Sequence, residues 1–147
     1  YVKDWTKTLW AIFKILKKEG LFLFSTHHPI RWGMSTTTTK EREVSLMGYE
    51  KYKSGKSKIF GDYLNSRKID ALWFNEFKVS YYHRPFSEII GDITKSGFVI
   101  SDFIEPKPLK IAAKESQRWF NINSKIPLFM IFELKKCYLN SAGAFFR

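Results

Sequence analysis

Apolar and polar positions follow several rhythms along this chain, and each rhythm predicts an element. In "DWTKTLWAIFKILKKEG", Trp5, Leu9, Ile12, Phe13 and Leu16 recur at helical spacing. Asp4 stands where an N-cap carboxylate meets the helix's positive end, and Lys17 and Lys18 fall in the last turn, where cations are favoured. Gly20 is placed as the left-handed stop. "LFLFS" follows, Leu21 to Ser25, apolar on both faces. That is the pattern of a strand covered on both sides of an α/β sheet. A helix, a short turn and such a strand predict a layered α/β fold.

From Pro29 to about Lys58 the chain turns polar. "STTTTKERE" has no period and "KSGKSK" reads as a solvated run, so this stretch predicts a functional insertion or a mobile loop. "YL" and "IDALW" flank the turn-prone "NSRK", as in a hairpin. "NEFKVSYYHRP" alternates, with Phe77, Val79 and Tyr81 on one face and Lys78, Ser80 and Tyr82 on the other, which predicts a half-buried strand. "RPFSEIIGDITKSGF" predicts a helix with Pro85 at its first position, a stripe of Phe86, Ile89, Ile90 and Ile93, and a stop at Gly97. "FVISDFIEP" alternates in part, as a strand near a sheet border does. "LKIAAKESQRWFNIN" reads as a helix bounded by Pro108 and Ser124. "PLFMIFELKK", Leu128 to Leu134, is apolar at every position but Glu133, which predicts an interior strand. The last run, residues 137–147, has no assignable pattern.

Composition narrows the class. A chain of 147 residues is one domain's worth, and 44% hydrophobic residues exclude general disorder. One cysteine, Cys137, excludes a disulfide framework and a cysteine-based zinc site, and it suits a reducing, cytoplasmic setting. The apolar runs are far shorter than the roughly 20 residues of a membrane span. The first helix carries lysines along its length, unlike a signal peptide. The formal charge of +11 raises a nucleic-acid or anionic-membrane partner. The lysines are scattered and no arginine-rich block occurs, so a solvated lysine-rich surface is the simpler reading.

Three stretches, in order, carry a resemblance. "YVKDW…KILKKEGLFLFSTHHP", "YYHRPFSEIIGDITKSGFVISDFIEPKP" and "SKIPLFMIFELKK" resemble class I S-adenosylmethionine-dependent methyltransferases, in particular the small-molecule type grouped as methyltransferase type 11. The likeness runs from Tyr1 to about Lys136. Lys18-Glu19-Gly20 stands where that family has a Pro-Gly-Gly or Lys-Gly-Gly turn. The family's glycine-rich cofactor loop has no counterpart here, because no G-x-G-x-G follows a strand. The resemblance therefore implies the C-terminal half of a Rossmann-like methyltransferase sheet: strands five, seven and six, with strand seven antiparallel. Residues 29–80 are then a lid-like insertion, 1–136 part of the methyltransferase domain and 137–147 a tail. S-adenosylmethionine is expected to be bound mainly by a segment outside this chain, so this segment is expected to be inactive alone. The Leu21–Ser25 strand then keeps an unpaired side, open to the missing half or to a second copy.

Candidate chemistry gathers at two strand ends. His27 and His28 follow "LFLFS" where ligands of open α/β sheets bind, and Pro29 aligns His28 with the histidine of the family's "H-P". They form an acceptor-pocket wall and a base, or else a strand-end turn bonded to backbone. Adjacent histidines with no third ligand make a metal site a poor reading. Tyr82, His83 and Arg84 precede a helix start. They line the acceptor site, with His83 as a base and Arg84 holding an acidic group, or they cap the helix with Arg84 paired to Glu88. Trp32, Trp73 and Tyr63 lie in the insertion and either close over a substrate or form the insertion's own core. Glu105, before Pro106, matches the family's "E-P" and is given a structural role.

The resemblance implies transfer of a methyl group to a small molecule. The alternatives are a nucleic-acid methyltransferase or binding module, and a truncated, non-catalytic relative that self-associates.

Overall fold

Asp4 starts the first helix through its side chain: the carboxylate accepts from the Lys7 amide at 2.9 Å, and α1 runs Trp5–Ile15. The computed structural model describes residues 2–74 and 76–136, so the tail with Cys137 lies outside the described residues. The left-handed residue after α1 is Glu19 (φ 59°), not Gly20. Gly20 is required for closeness instead, since a Cβ there would lie 2.9 Å from Leu16 Cγ and from the Lys17 carbonyl oxygen. β1 follows, Leu21–His27.

The expected structureless stretch is folded. It holds a short helix α2 (Pro29–Gly33) and two hairpins, β2 (Ser35–Thr38) with β3 (Glu43–Leu46), and β4 (Gly48–Lys51) with β5 (Ser57–Phe60). Both faces of these short strands are largely exposed, so no apolar alternation marks them in the sequence. The next hairpin is shifted from its expected place. β6 (Arg67–Trp73) pairs with β7 (Phe77–His83), Arg67 opposite His83 and Trp73 opposite Phe77. "NSRK" therefore leads into β6 rather than forming the hairpin turn.

α3 spans Phe86–Lys95, with Pro85 at the N-cap, one position before the expected N1. Gly97 ends it in the left-handed region (φ 90°), under the Phe13 ring. β8 is Phe98–Ile104. The expected single helix after it is two short ones, α4 (Ala112–Glu115) and α5 (Gln117–Asn123), split at Ser116, whose extended backbone breaks the run and whose side chain caps α5. β9 is Phe129–Lys136.

β1, β9 and β8 form one sheet in that order, with β9 antiparallel to both neighbours. The apolar stretch 128–132 thus lies in the central strand. Leu9, Ile89, Ile93, Phe98, Met130, Phe132 and Leu134 are buried between the sheet and α1 with α3. Thr6 Oγ1 donates to Asp92 Oδ1 at 2.8 Å and joins the two helices. Phe132 lies 5.1 Å from Phe24 and 4.9 Å from Phe103, centroid to centroid. Each such ring pair contributes about 0.5–1.5 kcal/mol beyond area burial.

The second sheet face differs from expectation. Leu21 and Leu23 are 52% and 66% exposed, and Val99 and Ile104 on β8 are exposed with them. Among the described residues β1 pairs on one side only. Among the described residues Leu21 and Leu23 on its outer face stay exposed, because α1 and α3 both pack on the opposite face.

Candidate functional site

A cavity of about 200 Å³ lies where the ends of β1 and β7 approach the start of α1. Thr26 and His27 reach it from β1, Tyr81, Tyr82 and His83 from β7, and Arg84 from the turn before α3. Trp5 of α1 and Trp32 of α2 complete the aromatic walls. Five of the six expected site residues, His27, Trp32, Tyr82, His83 and Arg84, line this one space, although about fifty residues separate the two groups in sequence. His28 is not among the lining residues.

The three histidines have different surroundings. His27 stacks on Phe129 at 4.9 Å and meets Trp32 edge-on at 5.2 Å. Burial holds it below the usual histidine range, and the Arg31 charge lowers it further. His28 is the N-cap of α2: its Nδ1 accepts from the Ile30 amide at 3.2 Å, and its Nε2 donates to Glu105 at 2.9 Å. Burial lowers its pKa against the opposing pull of Glu105. Both nitrogens are occupied, and no lone pair remains to accept a substrate proton.

His83 is 1% exposed. Its Nε2 lies 2.8 Å from the Tyr63 carbonyl oxygen, and its Nδ1 is buried without a hydrogen-bond partner among the described residues. Burial is the main cause that lowers its pKa, with the Tyr63 bond opposing. A neutral imidazole that donates from Nε2 must carry its lone pair on Nδ1. His83 therefore holds a buried acceptor that has no partner among the described residues. The indole Nε1 of Trp5 is likewise buried without a hydrogen-bond partner among the described residues.

The insertion root sets this geometry. Gly61 (φ 81°) crosses Gly33 so closely that a Cβ would lie 2.6 Å from the Gly33 carbonyl oxygen. The Asp62 amide donates to that oxygen at 2.7 Å, which fixes the position of Tyr63. The Tyr63 hydroxyl then accepts from the Phe86 amide at 3.1 Å, at the start of α3. Arg67 donates to the carbonyls of Trp32 and Asp62. Arg84 is also committed: it donates to the carbonyls of Val2 (3.1 Å) and Lys3 (2.5 Å) and meets Glu88 at 3.6 Å. It ties the turn before α3 to the chain leading into α1. Trp73 does not line the cavity.

Sequence reasoning missed two parts. Trp5 was read only as a core position of α1, because helical spacing does not show where an indole N–H ends. The Tyr63–His83 bond joins a loop carbonyl to a strand end, and no sequence pattern marks such a contact. Among the described residues no cluster of three or more His, Cys, Asp or Glu could hold a metal ion. None of the described helices is long and apolar enough to cross a membrane.

Comparison with solved structures fixes the fold. The chain superposes on an S-adenosylmethionine-dependent methyltransferase from Mesorhizobium loti with a TM-score of 0.64, at 19% identity over 92% of this chain and 57% of that one. A protein from Listeria monocytogenes assigned to the same methyltransferase class gives 0.65, at 21% identity over 94% of this chain and 57% of that one. The chain has the fold of a part of these proteins. It spans a little over half the length of the structures it matches. No family model matches the sequence, and no curated protein matches it.

Proposed function

We propose that this chain is the acceptor-binding part of an S-adenosylmethionine-dependent methyltransferase acting on a small molecule. One observation carries the reading: in a chain with the fold of methyltransferase structures, His27, Trp32, Tyr82 and His83 line one aromatic cavity at two strand ends. On this reading β1, β9 and β8 correspond to the family's strands five, seven and six. A further segment with the glycine-rich loop pairs with the open side of β1 and covers Leu21 and Leu23. The single cysteine fits a cytoplasmic enzyme.

These residues do not fit S-adenosylmethionine by themselves. Among the described residues no carboxylate lines the cavity and no strand ends in a glycine-rich loop. Held by the other segment, the cofactor supplies a methyl group already activated as a sulfonium. This chain's own part is to position and to take a proton. Trp32, Tyr82 and His27 hold the acceptor between ring faces and exclude water. His83 Nδ1 receives the proton that the acceptor's O–H or N–H loses as its heteroatom is methylated. His28 holds the strand end as a cap, and residues 29–80 form a lid whose root carries Tyr63.

The nucleic-acid reading draws on the charge of +11. The basic side chains lie on α1 (Lys7, Lys14), on the β4–β5 hairpin (Lys51, Lys58) and on β9 (Lys135, Lys136), which favours a solvated surface over one binding stripe. Calorimetry with S-adenosylmethionine tests the division of labour. The full polypeptide that carries this chain is expected to bind the cofactor and this chain alone to give no heat; equal binding by both would overturn it.

A further inference from the structure

We propose that residues 107–119 form a docking surface for an anionic lipid bilayer, with Leu109 and Ile111 entering the headgroup layer and Lys107, Lys110 and Lys114 meeting acidic headgroups.

This stretch follows β8 and is held in shape by its own backbone. Pro106 and Pro108 fix two backbone angles on the way in. The amides of Ala112, Ala113 and Lys114 donate to the carbonyls of Leu109, Lys110 and Ile111 at 2.9, 3.2 and 3.0 Å, a run of tight turns that leads into α4. A surface already ordered loses less freedom when it binds.

The turn presents apolar groups to water. Leu109 is 76% exposed and Ile111 65%, and Trp119 on α5 is 48% exposed. Large apolar side chains left together at a surface mark a place for an apolar partner.

Charge selects that partner. Residues 106–119 carry four cations, Lys107, Lys110, Lys114 and Arg118, against one carboxylate, Glu115. All four cations are exposed. Arg118 lies 3.9 Å from Glu43, and Glu105 at the head of the stretch is held by His28. No ion pair among the described residues holds Lys107, Lys110 or Lys114. The β4–β5 hairpin is also basic, but its Lys51 and Lys58 lie over the rings of Tyr49 and Phe60 at 5.4 and 4.9 Å.

A second copy of the chain would set lysines against lysines. A nucleic acid would meet the lysines, but it rewards flat rings rather than leucine and isoleucine. An anionic bilayer matches both features: acidic headgroups attract the lysines, and the acyl boundary receives aliphatic side chains and a tryptophan. None of the described helices can cross a membrane, so the contact lies on the surface. The further segment of the proposed function pairs with β1, whereas residues 107–119 leave from β8, at the other border of the sheet with β9 between.

The test is co-sedimentation of the full polypeptide with vesicles of phosphatidylcholine alone and of phosphatidylcholine and phosphatidylserine in equal parts. Binding is expected to the mixed vesicles, weakening as salt rises, and to be far weaker to phosphatidylcholine alone. Replacing Lys107, Lys110 and Lys114 together by glutamine should lower the partition constant by about two orders of magnitude, about fivefold for each lysine. Leu109→Ser with Ile111→Ser should lower it by about tenfold or more. Equal binding to both vesicles, or none to either, would overturn the inference without recourse to a variant. Loss in the lysine variant with the Leu109→Ser, Ile111→Ser protein unaffected would overturn it in favour of a general polyanion surface. The functional reading fails separately. Vesicle binding as described without methyl transfer would reject the methyltransferase reading alone, and methyl transfer without vesicle binding would reject this inference alone.

Discussion

The Nε2 of His83 is bonded to the main-chain carbonyl of Tyr63 at 2.8 Å, so the insertion root decides which nitrogen of the cavity histidine holds the lone pair. The same tyrosine reaches the first amide of α3 with its hydroxyl. Moving Tyr63 would loosen both His83 and the helix start behind it.

Gly61→Ala tests this dependence. Alanine at φ 81° with a Cβ 2.6 Å from a carbonyl oxygen forces the root apart. The expected cost is about 1–3 kcal/mol of stability. The His83 nitrogen-15 spectrum should change from one tautomer to a mixture. Destabilisation with the tautomer intact would show that the root supports the fold but not the histidine.

His28 and His83 should respond differently to replacement. Asparagine is a good N-cap, so His28→Asn should keep α2 and most of the methyl transfer, while His28→Ala should lose about 1 kcal/mol of stability. Glu105 would lose its partner in both variants. A collapse of turnover in His28→Asn at unchanged stability would return the base role to His28.

The pH dependence of folding has a definite sign. His27, His28 and His83 all have pKa values lowered in the folded state, each chiefly by burial. The unfolded chain therefore binds protons first as pH falls, and folding loses stability. Stability should be full above about pH 6.5, the unfolded histidine value, and should fall below it. The slope is bounded by about 1.4 kcal/mol per pH unit for each histidine. The groups facing His83, namely Tyr63, Asp62, Arg67 and Glu88, shift its own share without changing this sign. Denaturant titrations between pH 7.5 and 5 measure it, and rising stability on acidification would contradict it.

The open side of β1 makes a prediction for this chain on its own. Exposed Leu21 and Leu23 next to unpaired backbone favour self-association. Leu23→Lys should shift sedimentation towards monomer with stability changed by less than about 0.5 kcal/mol, as for an ordinary surface substitution. In the full polypeptide the same change should destabilise, because the position is then covered. A wild-type chain that stays monomeric at high concentration would contradict the open-edge account.

The core of the fold was readable because its signals are periodic. α1 and α3 show their stripes, and Phe129–Lys136 shows its central place through a largely apolar run. The hairpins of residues 35–60 were not readable, since strands exposed on both faces carry no alternation. The Gly20 stop was misassigned because the same glycine serves close packing as well as left-handed turns. The nearness of five expected residues around one cavity was readable from their places at two strand ends, but their hydrogen-bond partners were not. His28 and His83 are equivalent as letters. What separates them is partners, Ile30 and Glu105 for the one and the Tyr63 carbonyl alone for the other.

Transfer of a labelled methyl group is the most direct measurement. The full polypeptide that carries this chain should move label from S-adenosylmethionine to a small-molecule acceptor, and His83→Gln should reduce the rate by about 10²–10⁴, the contribution of a positioned base, while cofactor binding is retained. Transfer undiminished in a folded His83→Gln protein, or carried out equally well by residues 1–147 alone, would contradict the account.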